Sequence, residues 1–503
     1  MRLYSVAPFL VFAPIAMGIA SKCPSYVDWA SVPHPPFSPG PQRIPTMRPP
    51  EPCRTFSSAA IESVLQATVS QIKSPDMRQL LTNILPNTLD TAIAWHDPGN
   101  TTGMPYTFVI TGDINAQWTR DSTNQLLPLL PYALQDTRLQ LLVLGLINMQ
   151  AEQISQYLFA NAYKPPARSG LVPGENSWAK LDKVVPQFDP KLVFEAKFEI
   201  DSLAAFLKLS TAYWEQTKDQ RFMSTVWRTA VANILELLQQ LQMPTVDKNG
   251  KMNNATVRFS RESTSPTETS FGHGQGNPVK FTGMVKSLFR PSDDSVIFPF
   301  FIPGNAMLST ELARLAQMLL SVKEMAVEQA VADRLAEEIR QGIYQYGTMD
   351  HPVYGKIFVY ETDGFGSAVV MDDANVPSLL SLPYLGFVDN NDSVYLNTRK
   401  LILSPDNPWY FAGSRVSGIG SPHTGFMRVW PMAIAMQALT TDDKSEVKWC
   451  LQQLLETTGG LGLMHESVDV EDPARYSRPW FAWCNGVASE LIIDAVRRFP
   501  GIV

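Results

Sequence analysis

Apolar residues recur along this chain at intervals of three or four, which is the spacing of one face of an α-helix. One such run consists of Phe222, Val226, Ala230, Ile234, Leu237 and Leu241. Strict alternation of apolar and polar residues, which is typical of half-buried strands, is rare. The pattern predicts about a dozen helices, over residues 58–73, 77–93, 121–134, 138–158, 198–217, 220–242, 304–322, 324–346, 376–386, 394–403, 427–440, 443–457 and 480–498.

The predicted helices follow one another in pairs, separated by long polar and aromatic connections. Each helical hairpin has to bury one apolar face against its neighbours, and a closed ring of hairpins achieves this for every pair. We therefore expect an all-α fold, arranged as a toroid of helical hairpins with long functional loops.

The first residues have the pattern of a secretory signal peptide. A short start with Arg2 leads into an apolar run from Val6 to Ile19, followed by the small residue Ala20. A membrane anchor is the alternative, but prolines interrupt the run, and it is shorter than the about 20 residues that a spanning helix needs. We expect three segments, namely a cleaved signal at 1–20, a proline-rich arm at 21–56 and one helical domain at 57–503.

Other features favour export. Three tripeptides fit the acceptor pattern for N-glycosylation, and they begin at Asn100, Asn254 and Asn391. Of the four cysteines, Cys23 and Cys53 would staple the proline-rich arm if they were paired, while Cys450 and Cys484 either join two C-terminal helices or remain buried free thiols. We expect a protein that is secreted or held in the secretory pathway.

The composition provides for a large core and is compatible with sugar binding. The chain has 503 residues, of which 45% are hydrophobic, and a net charge of −7. Nucleic acids and anionic membranes select for clustered Lys and Arg, and the sequence has no such cluster, so neither is expected as a partner. Eleven Trp and fifteen Tyr suit carbohydrate, because sugar rings stack on aromatic planes.

Polar residues concentrate in the connections between predicted helices, where Asp, Glu, Arg, His, Trp and Gly are dense. The first cluster runs from Thr111 to Asp121 and ends at a predicted helix start. Arg120 and Asp121 offer a donor fork beside an acceptor, which suits the gripping of vicinal hydroxyls. The alternative is a helix cap with a buried ion pair. We expect the clusters to share one pocket.

The second cluster, residues 290–294, contains two adjacent carboxyl groups. Asp293 and Asp294 resist joint ionisation, so one of them is expected to hold a raised pKa and act as a general acid, while Arg290 steadies the other. An ordinary turn after a proline is the alternative.

The third cluster, residues 463–467, places Glu466 beside His465 after two glycines. Glu466 is the candidate general base, and a structural hydrogen bond between the two side chains is the alternative. Further groups mix hydrogen-bonding side chains with flat rings, as a sugar pocket requires, although the Trp residues near 480 also fit a helix core. These groups occupy residues 361–366, 371–375, 421–425 with Arg428 and Trp430, and 478–483.

The spacings that mark zinc sites, phosphate-binding loops and the nucleophile elbow of serine hydrolases are absent from the sequence. Asp469, Glu471 and Asp472 lack the regular ligand spacing of an EF-hand, so a calcium site there is not favoured. We therefore expect neither a metal ion nor another cofactor.

Five of these motifs together resemble glycoside hydrolase family 125. In order along the chain they are Gly-Asp-Ile-x-Ala-Gln-Trp-Thr-Arg-Asp, Arg-Pro-Ser-Asp-Asp, Met-Asp-Asp-Ala-Asn-Val-Pro-Ser, Gly-x-x-Ser-Pro-His-Thr and Met-His-Glu-Ser. The match runs from about Ser57 to the C-terminus, and the signal pattern with the glycosylation tripeptides looks like a secreted fungal member.

This resemblance implies an (α/α)6 barrel and an exo-acting α-mannosidase that releases terminal α-1,6-linked mannose with inversion and without a metal ion. It implies that Asp293 or Asp294 is the general acid and that Glu466 is the base that activates water. The expected partners are mannose-containing oligosaccharides or glycoprotein glycans.

The residues expected to bind substrate are Trp118, Arg120, Asp121, Arg290, Asp373, Asn375, His423 and His465. Two other functions stay open at this point, because a fold does not fix a chemistry. One is a glycan-binding protein that keeps the barrel without turnover, and the other is a helical-toroid glycosidase that acts on another sugar.

Overall fold

The computed structural model describes residues 23–101 and 103–503. The predicted signal peptide, residues 1–20, lies outside this part of the chain. The α-helices are α1 (Tyr26–Ala30), α2 (Ala59–Val69), α3 (Pro75–Ile84), α4 (Asn87–Thr91), α5 (Thr119–Leu126), α6 (Thr137–Gln156), α7 (Ile200–Thr217), α8 (Thr225–Leu241), α9 (Phe271–Gly274), α10 (Ile302–Leu319), α11 (Ala326–Tyr346), α12 (Ser393–Ile402), α13 (Pro431–Leu439), α14 (Lys444–Glu456) and α15 (Ala482–Arg498). None of them combines the length and the apolar character needed to cross a bilayer.

Helices α5, α7, α10, α13 and α15 form an inner ring. In this ring α5 packs against both α7 and α15, α7 also packs against α10, and α13 packs against α15. The outer helices cover it, since α6 and α8 pack together beside α7, α11 packs on α10, and α14 packs on α13. A large cluster of buried apolar side chains runs through both layers, from Ala30 to Ile502.

The two layers begin their helices differently. Most outer helices start with a Ser or Asp whose side chain accepts a backbone N–H of the first turn, as Ser224 does for α8 and Asp443 for α14. The described inner helices have no such side-chain cap, and the residues in the cap position are Trp118, Glu199, Phe301, Trp430 and Phe481. The inner ring therefore presents open helix N-termini at one end.

Nine of the predicted helices are confirmed, as α2, α6, α7, α8, α10, α11, α12, α14 and α15. Three others have corrected bounds. The helix predicted over 77–93 is divided at Pro86 into α3 and α4, and the one over 427–440 begins only at Pro431. The helix over 121–134 continues α5 as a 3₁₀ helix, Leu127–Gln135, because its prolines supply no N–H for α-helical hydrogen bonds.

The predicted helix over 376–386 is wrong, because this segment consists of turns. The carboxylate of Asp372 accepts the backbone N–H groups of Leu379 at 2.8 Å and Leu380 at 2.9 Å, which removes them from a helical ladder. The segment still reaches the inner ring, since Tyr384 donates to Glu490 of α15 and lies under the ammonium group of Lys208 in α7.

The connections contain short antiparallel strands, which the helical pattern did not predict. They are β1 (Ile93–Asp97), β2 (Tyr106–Val109), β3 (Gln117–Trp118), β4 (Ala162–Tyr163), β5 (Asp182–Val185), β6 (Val193–Glu195), β7 (Arg258–Arg261), β8 (Phe300–Phe301), β9 (Thr348–His351), β10 (Gly355–Phe358), β11 (Glu361–Thr362), β12 (Ala368–Val369), β13 (Tyr410–Ala412), β14 (Ser417–Ile419), β15 (Arg428–Val429) and β16 (Val468–Asp469). Strand β4 lies between β3 and β6, β11 lies between β8 and β12, and β15 pairs with β16. The pairs β3–β4, β5–β7, β8–β11 and β15–β16 hold different connections against each other, whereas the other pairs lie within one connection.

The N-terminal arm is fixed to the body of the protein. Cys23 and Cys53, whose pairing the sequence left open, form a disulfide with an S–S distance of 2.06 Å. Asn83 of α3 accepts the backbone N–H of Met47 and donates to the carbonyl of Pro45. Cys450 and Cys484 are buried free thiols, so of the two alternatives for this pair the disulfide is wrong.

Candidate active site

One pocket lies at the end of the inner ring where the inner helices begin. It is lined by Trp118, Trp430 and Phe481, which occupy the cap positions of α5, α13 and α15, and by residues of the connections before them. The space is about 350 Å³ with its open mouth included. The predicted site residues that line it are Trp118, Arg120, Asp121, Asp293, Asn375, His423 and Glu466.

Arg120 is a buried cation with four carboxyl groups around it. Its guanidinium nitrogens lie 2.5 Å from Glu199, 3.1 Å from Asp201, 3.2 Å from Asp121 and 3.8 Å from Asp293. Although burial opposes its charge, these carboxyl groups hold the pKa of Arg120 well above its ordinary value. Burial in turn raises the pKa of Asp121 and Asp201, against the attraction of Arg120. Arg120 and Asp121 thus form a buried ion pair and also line the pocket.

Asp293 is directed into the pocket by a left-handed backbone turn. Its φ is +68°, and its backbone N–H donates to the carbonyl of Arg290 at 2.9 Å. The side chain is 23% exposed, and its Oδ1 accepts the amide of Asn161 at 3.1 Å. Burial raises the pKa of Asp293, but the charges of Lys197 and Arg120, with a hydrogen bond from Glu199, hold it well below its ordinary value.

Asp294 is buried and does not line the pocket. Its Oδ1 lies 3.4 Å from Nδ1 of His423, whose ring lines the pocket. Burial lowers the pKa of His423, but the hydrogen bond and charge of Asp294, aided by Glu466 and Asp293, raise it to about 9. His423 is therefore a cation at neutral pH, within the fields of Asp293 and Glu466.

Glu466 reaches the pocket from the connection between α14 and α15. Ser477 donates its hydroxyl to Oε2 at 2.8 Å, and Nε of Arg478 lies 3.3 Å from Oε1. Arg478 is itself held by Asp113 at 3.0 Å. These partners come from other parts of the connections and hold the Glu466 carboxylate in place.

Aromatic rings complete the pocket wall. Trp118 meets Phe194 edge to face at 5.5 Å, and Phe481 contacts both Trp430 and Trp483 in the same manner. Gly112 leaves room for Trp480, because a Cβ at Gly112 would lie 3.1 Å from that ring. Trp483 lines the pocket, and Trp480 belongs to the core, so the two readings of this segment each hold for one residue.

Comparison with known proteins bears directly on this pocket. The family model for metal-independent alpha-mannosidases, GH125, matches residues 74–493. The chain belongs to glycoside hydrolase family 125. The prediction that it is a glycoside hydrolase is therefore confirmed.

Two relatives extend the comparison. The chain is 46% identical to the meiotically up-regulated gene 157 protein of Schizosaccharomyces pombe, over 96% of this chain and 94% of that protein. It is 33% identical, with a TM-score of 0.80, to a metal-independent alpha-mannosidase of Streptococcus pneumoniae solved in a non-productive complex with alpha-1,6-mannobiose. That likeness covers 88% of this chain and 99% of the other, and the predicted (α/α)6 barrel is confirmed.

Three residues predicted to bind substrate do not line the pocket of this family 125 enzyme. Arg290 pairs with Glu361 at 2.6 Å, so it does not steady either aspartate through its side chain. Asp373 accepts hydrogen bonds from Asn375 and Ser421 and lies behind Asn375.

His465 is the third of these residues, and its role in the fold is structural. It is fully buried, its ring nitrogens lie within hydrogen-bonding distance of the carbonyls of Arg478 and Thr458, and it stacks on Tyr476 at 4.0 Å. Burial lowers the pKa of His465 to about 4, so the ring is neutral and does not bond to Glu466.

A raised pKa was expected on Asp293 or Asp294, but the structure gives it to a different carboxyl group of the site. The pKa of Asp293 is lowered, whereas burial raises the pKa of Glu199 well above its ordinary value. Sequence reasoning missed Glu199, together with Asn161, Lys197 and Asp201. A signal was present, because charged residues alternate with apolar ones from Glu195 to Asp201, directly before the start of α7.

Side chains that could bind a metal ion are not grouped in the described part of the chain. Within residues 23–101 and 103–503, no group of three or more His, Cys, Asp or Glu is placed to hold a metal ion. Asp469 instead accepts the backbone N–H groups of Glu471 and Asp472 and pairs with Arg475 at 3.3 Å.

Removing the charge of Arg120 should destabilise the fold strongly. Arg120→Met would leave buried carboxyl groups without their cation, so we expect the free energy of unfolding to fall by about 3–5 kcal/mol. Denaturant titration followed by circular dichroism measures this change. As a control, Arg334→Met removes an exposed pair with Glu338 and should cost at most about 1 kcal/mol. Equal losses in the two variants would contradict this assignment.

Proposed function

We propose that the protein is an exo-acting mannosidase that removes terminal α-1,6-linked mannose with inversion, using Asp293 as general acid and Glu466 as general base. The observation that carries the proposal is that these two carboxyl groups line one pocket from separate loops. Membership of family 125 and the alpha-1,6-mannobiose bound to the Streptococcus pneumoniae relative support the choice of sugar and linkage.

The partners of the two carboxyl groups fit different tasks. Glu466 is contacted by donors from Ser477 and Arg478, which orient its carboxyl group for accepting a proton from water. Asp293 shares the donor Asn161 with the buried Glu199 and lines the pocket together with His423, so its surroundings include groups that can hold protons. Asp294 serves the site through His423 and is not the proposed acid, because it is buried and does not line the pocket.

The reaction follows from this assignment. Glu466 takes a proton from water while the water oxygen attacks the anomeric carbon. The bond from that carbon to the glycosidic oxygen breaks, and Asp293 transfers a proton to the departing oxygen. Attack from the face opposite to the leaving group gives β-mannose. Inverting enzymes keep their two carboxyl groups about 6.5–9.5 Å apart, because the attacking water has to fit between the base and the sugar.

The pocket suits a chain end better than a chain interior. The inner helices begin at its wall, and the ring behind it is filled by core residues such as Leu203, Phe206 and Leu308. A terminal mannose would stack on the aromatic wall, with Arg120, Asp121 and Asn375 placed to meet its hydroxyl groups. The rest of a mannose-containing oligosaccharide or glycoprotein glycan would lie outside the mouth.

The anomer released first tests the proposed function. Proton NMR of the reaction with α-1,6-mannobiose should show β-mannose before mutarotation equilibrates the two anomers. Initial α-mannose would mean retention and would contradict the roles given to water and Glu466. Cleavage of glucosides in preference to mannosides would contradict the choice of sugar.

Conservative amide variants test the two roles separately. Asp293→Asn and Glu466→Gln should each lower kcat for mannobiose by about 100-fold or more, with the thermal unfolding midpoint preserved. The matched control is Asp294→Asn, which removes the neighbouring carboxyl and should cost less, because it acts only through His423. A larger loss in Asp294→Asn than in Asp293→Asn would transfer the acid role to Asp294.

We further propose that the protein passes through the secretory pathway. The disulfide between Cys23 and Cys53 supports this, as does the exposure of Asn100, Asn254 and Asn391. Protein expressed from its full sequence in a eukaryotic host should lose mass on treatment with a peptide N-glycosidase, and a triple Asn→Gln variant should not. An unchanged mass, with both cysteines reduced, would contradict export.

A further inference from the structure

Glu199 is an enclosed carboxyl group directly behind Asp293. It occupies the cap position of α7, and only 1% of the residue is exposed. Its Oε2 accepts a hydrogen bond from Nη1 of Arg120 at 2.5 Å and another from the hydroxyl of Ser202 at 3.3 Å. Its carboxyl group lies beside that of Asp293, because the amide of Asn161 donates to both groups. The substrate pocket is therefore separated from Glu199 by Asp293 itself.

The two carboxyl groups also share their donors. The amide of Asn161 donates to Oδ1 of Asp293 at 3.1 Å and to Oε1 of Glu199 at 3.4 Å. Arg120 approaches both, with Nη1 on Glu199 and Nη2 at 3.8 Å from Asp293. Two buried carboxyl groups held this close by the same donors resist joint ionisation, which favours a proton on one of them. This geometry suits a carboxylic pair that retains a single proton.

We propose that Glu199 stores the proton that Asp293 delivers to the leaving oxygen, so that the acid of this enzyme is the pair Asp293–Glu199. The inference rests on the proposed function, because it assigns the source of the proton used there. Glu199 does not contact substrate, and it is therefore a positioning residue that acts through Asp293.

The charges around the pair agree with this arrangement. Burial raises the pKa of Glu199 well above its ordinary value, Arg120 opposes this, and Asp293 and Asp201 reinforce it. On the pocket side, Lys197, Arg120 and His423 favour the ionised form of Asp293, and Arg478 also lies within its field. The proton therefore rests on Glu199 in the free enzyme.

The proton balance of one turnover closes without any other reactant. The O–H bond of Glu199 breaks as an O–H bond forms on Asp293, and Asp293 then transfers that proton to the glycosidic oxygen. Glu466 meanwhile gains a proton from the attacking water. When Glu466 releases this proton to solvent and the pair takes one up, the starting state returns. The charge left on the pair in the interval is offset by Arg120 and Lys197.

Two substrates with different leaving groups separate proton storage from a structural role. The departing sugar hydroxyl of α-1,6-mannobiose needs a proton, whereas the phenolate of dinitrophenyl α-mannoside departs without one. In Glu199→Gln we expect kcat/KM for mannobiose to fall by about 100-fold or more and that for the aryl mannoside to change by less than about threefold. In the same variant, the basic limb of the pH profile of kcat/KM for mannobiose should move to lower pH, because the amide of the introduced Gln cannot share a proton with Asp293.

The matched control is Glu311→Gln. Glu311 is also a buried glutamate of an inner helix, bonded to Arg314 at 3.0 Å and to Thr211 at 3.2 Å, but it lies in the middle of α10 and not at the pocket. This control should keep the wild-type ratio of the two substrates and the wild-type pH profile. Losses of equal size for both substrates in Glu199→Gln, with an unmoved basic limb, would overturn the inference.

A second variant keeps the test decisive if Glu199→Gln does not fold. Asn161→Ala retains both carboxyl groups and removes a donor that stabilises their ionised forms, so the basic limb should move to higher pH. An unmoved limb, or a shift to lower pH, would contradict the pair.

Failure of the proposed function gives a different result. In that case wild-type protein releases mannose from neither substrate. Infrared difference spectroscopy then tests the Asp293–Glu199 pair without any turnover. A carbonyl band of a protonated carboxyl group at neutral pH, present in the wild type and lost in Glu199→Gln, would sustain the shared proton. The same band in both proteins would overturn it.

Discussion

The guanidinium group of Arg120 is the interaction on which the rest of the site depends. Four carboxyl groups from the starts of α5 and α7 and from the loop before α10 surround it. Without its charge, burying them together would be opposed by desolvation and mutual repulsion. Its plane also lies 5.2 Å from the ring of Trp483, which joins the cation to α15. One residue thus connects three inner helices to the proposed acid.

The inner helices supply the electrostatic setting for this cluster. Outer helices such as α8 and α14 close their first turn with a polar side chain, whereas the described inner helices begin with an aromatic residue or with Glu199. The cap positions of the inner ring are thereby available for pocket walls and for the proposed chemistry. Their N-terminal dipoles point toward the pocket and favour negative charge there. The short strands between loops hold these ends in register.

The sequence was most informative where local periodicity decides the structure. Helices with a continuous apolar face, such as α8 and α11, were predicted almost to their ends, because burial of one face determines them. The segment 376–386 has apolar residues at suitable spacing, but Asp372 takes two of its N–H groups, and this competition is invisible to periodicity. The sequence left two alternatives for Cys450 and Cys484, a disulfide or free thiols, and only the packed fold shows that they are separate buried thiols.

The same limit applies to the site. Asp293 and Glu466 were found because their loops are unusually polar and because their motifs resemble those of family 125. Glu199 lies at the start of a strongly predicted helix, where a glutamate has no evident task, and its contact with Asp293 exists only after the chain closes on itself. His465 was misjudged for the opposite reason, since its neighbour Glu466 lines the pocket while its own ring is buried.

The left-handed backbone at Asp293 limits which residue can occupy that position. A φ of +68° is adopted more readily by Gly, Asn and Asp than by most other residues, although Arg43, Lys218 and Met427 also have a positive φ in this protein. The turn between Arg290 and Asp294 therefore favours an aspartate at this position, and the short side chain and the main-chain conformation suit each other.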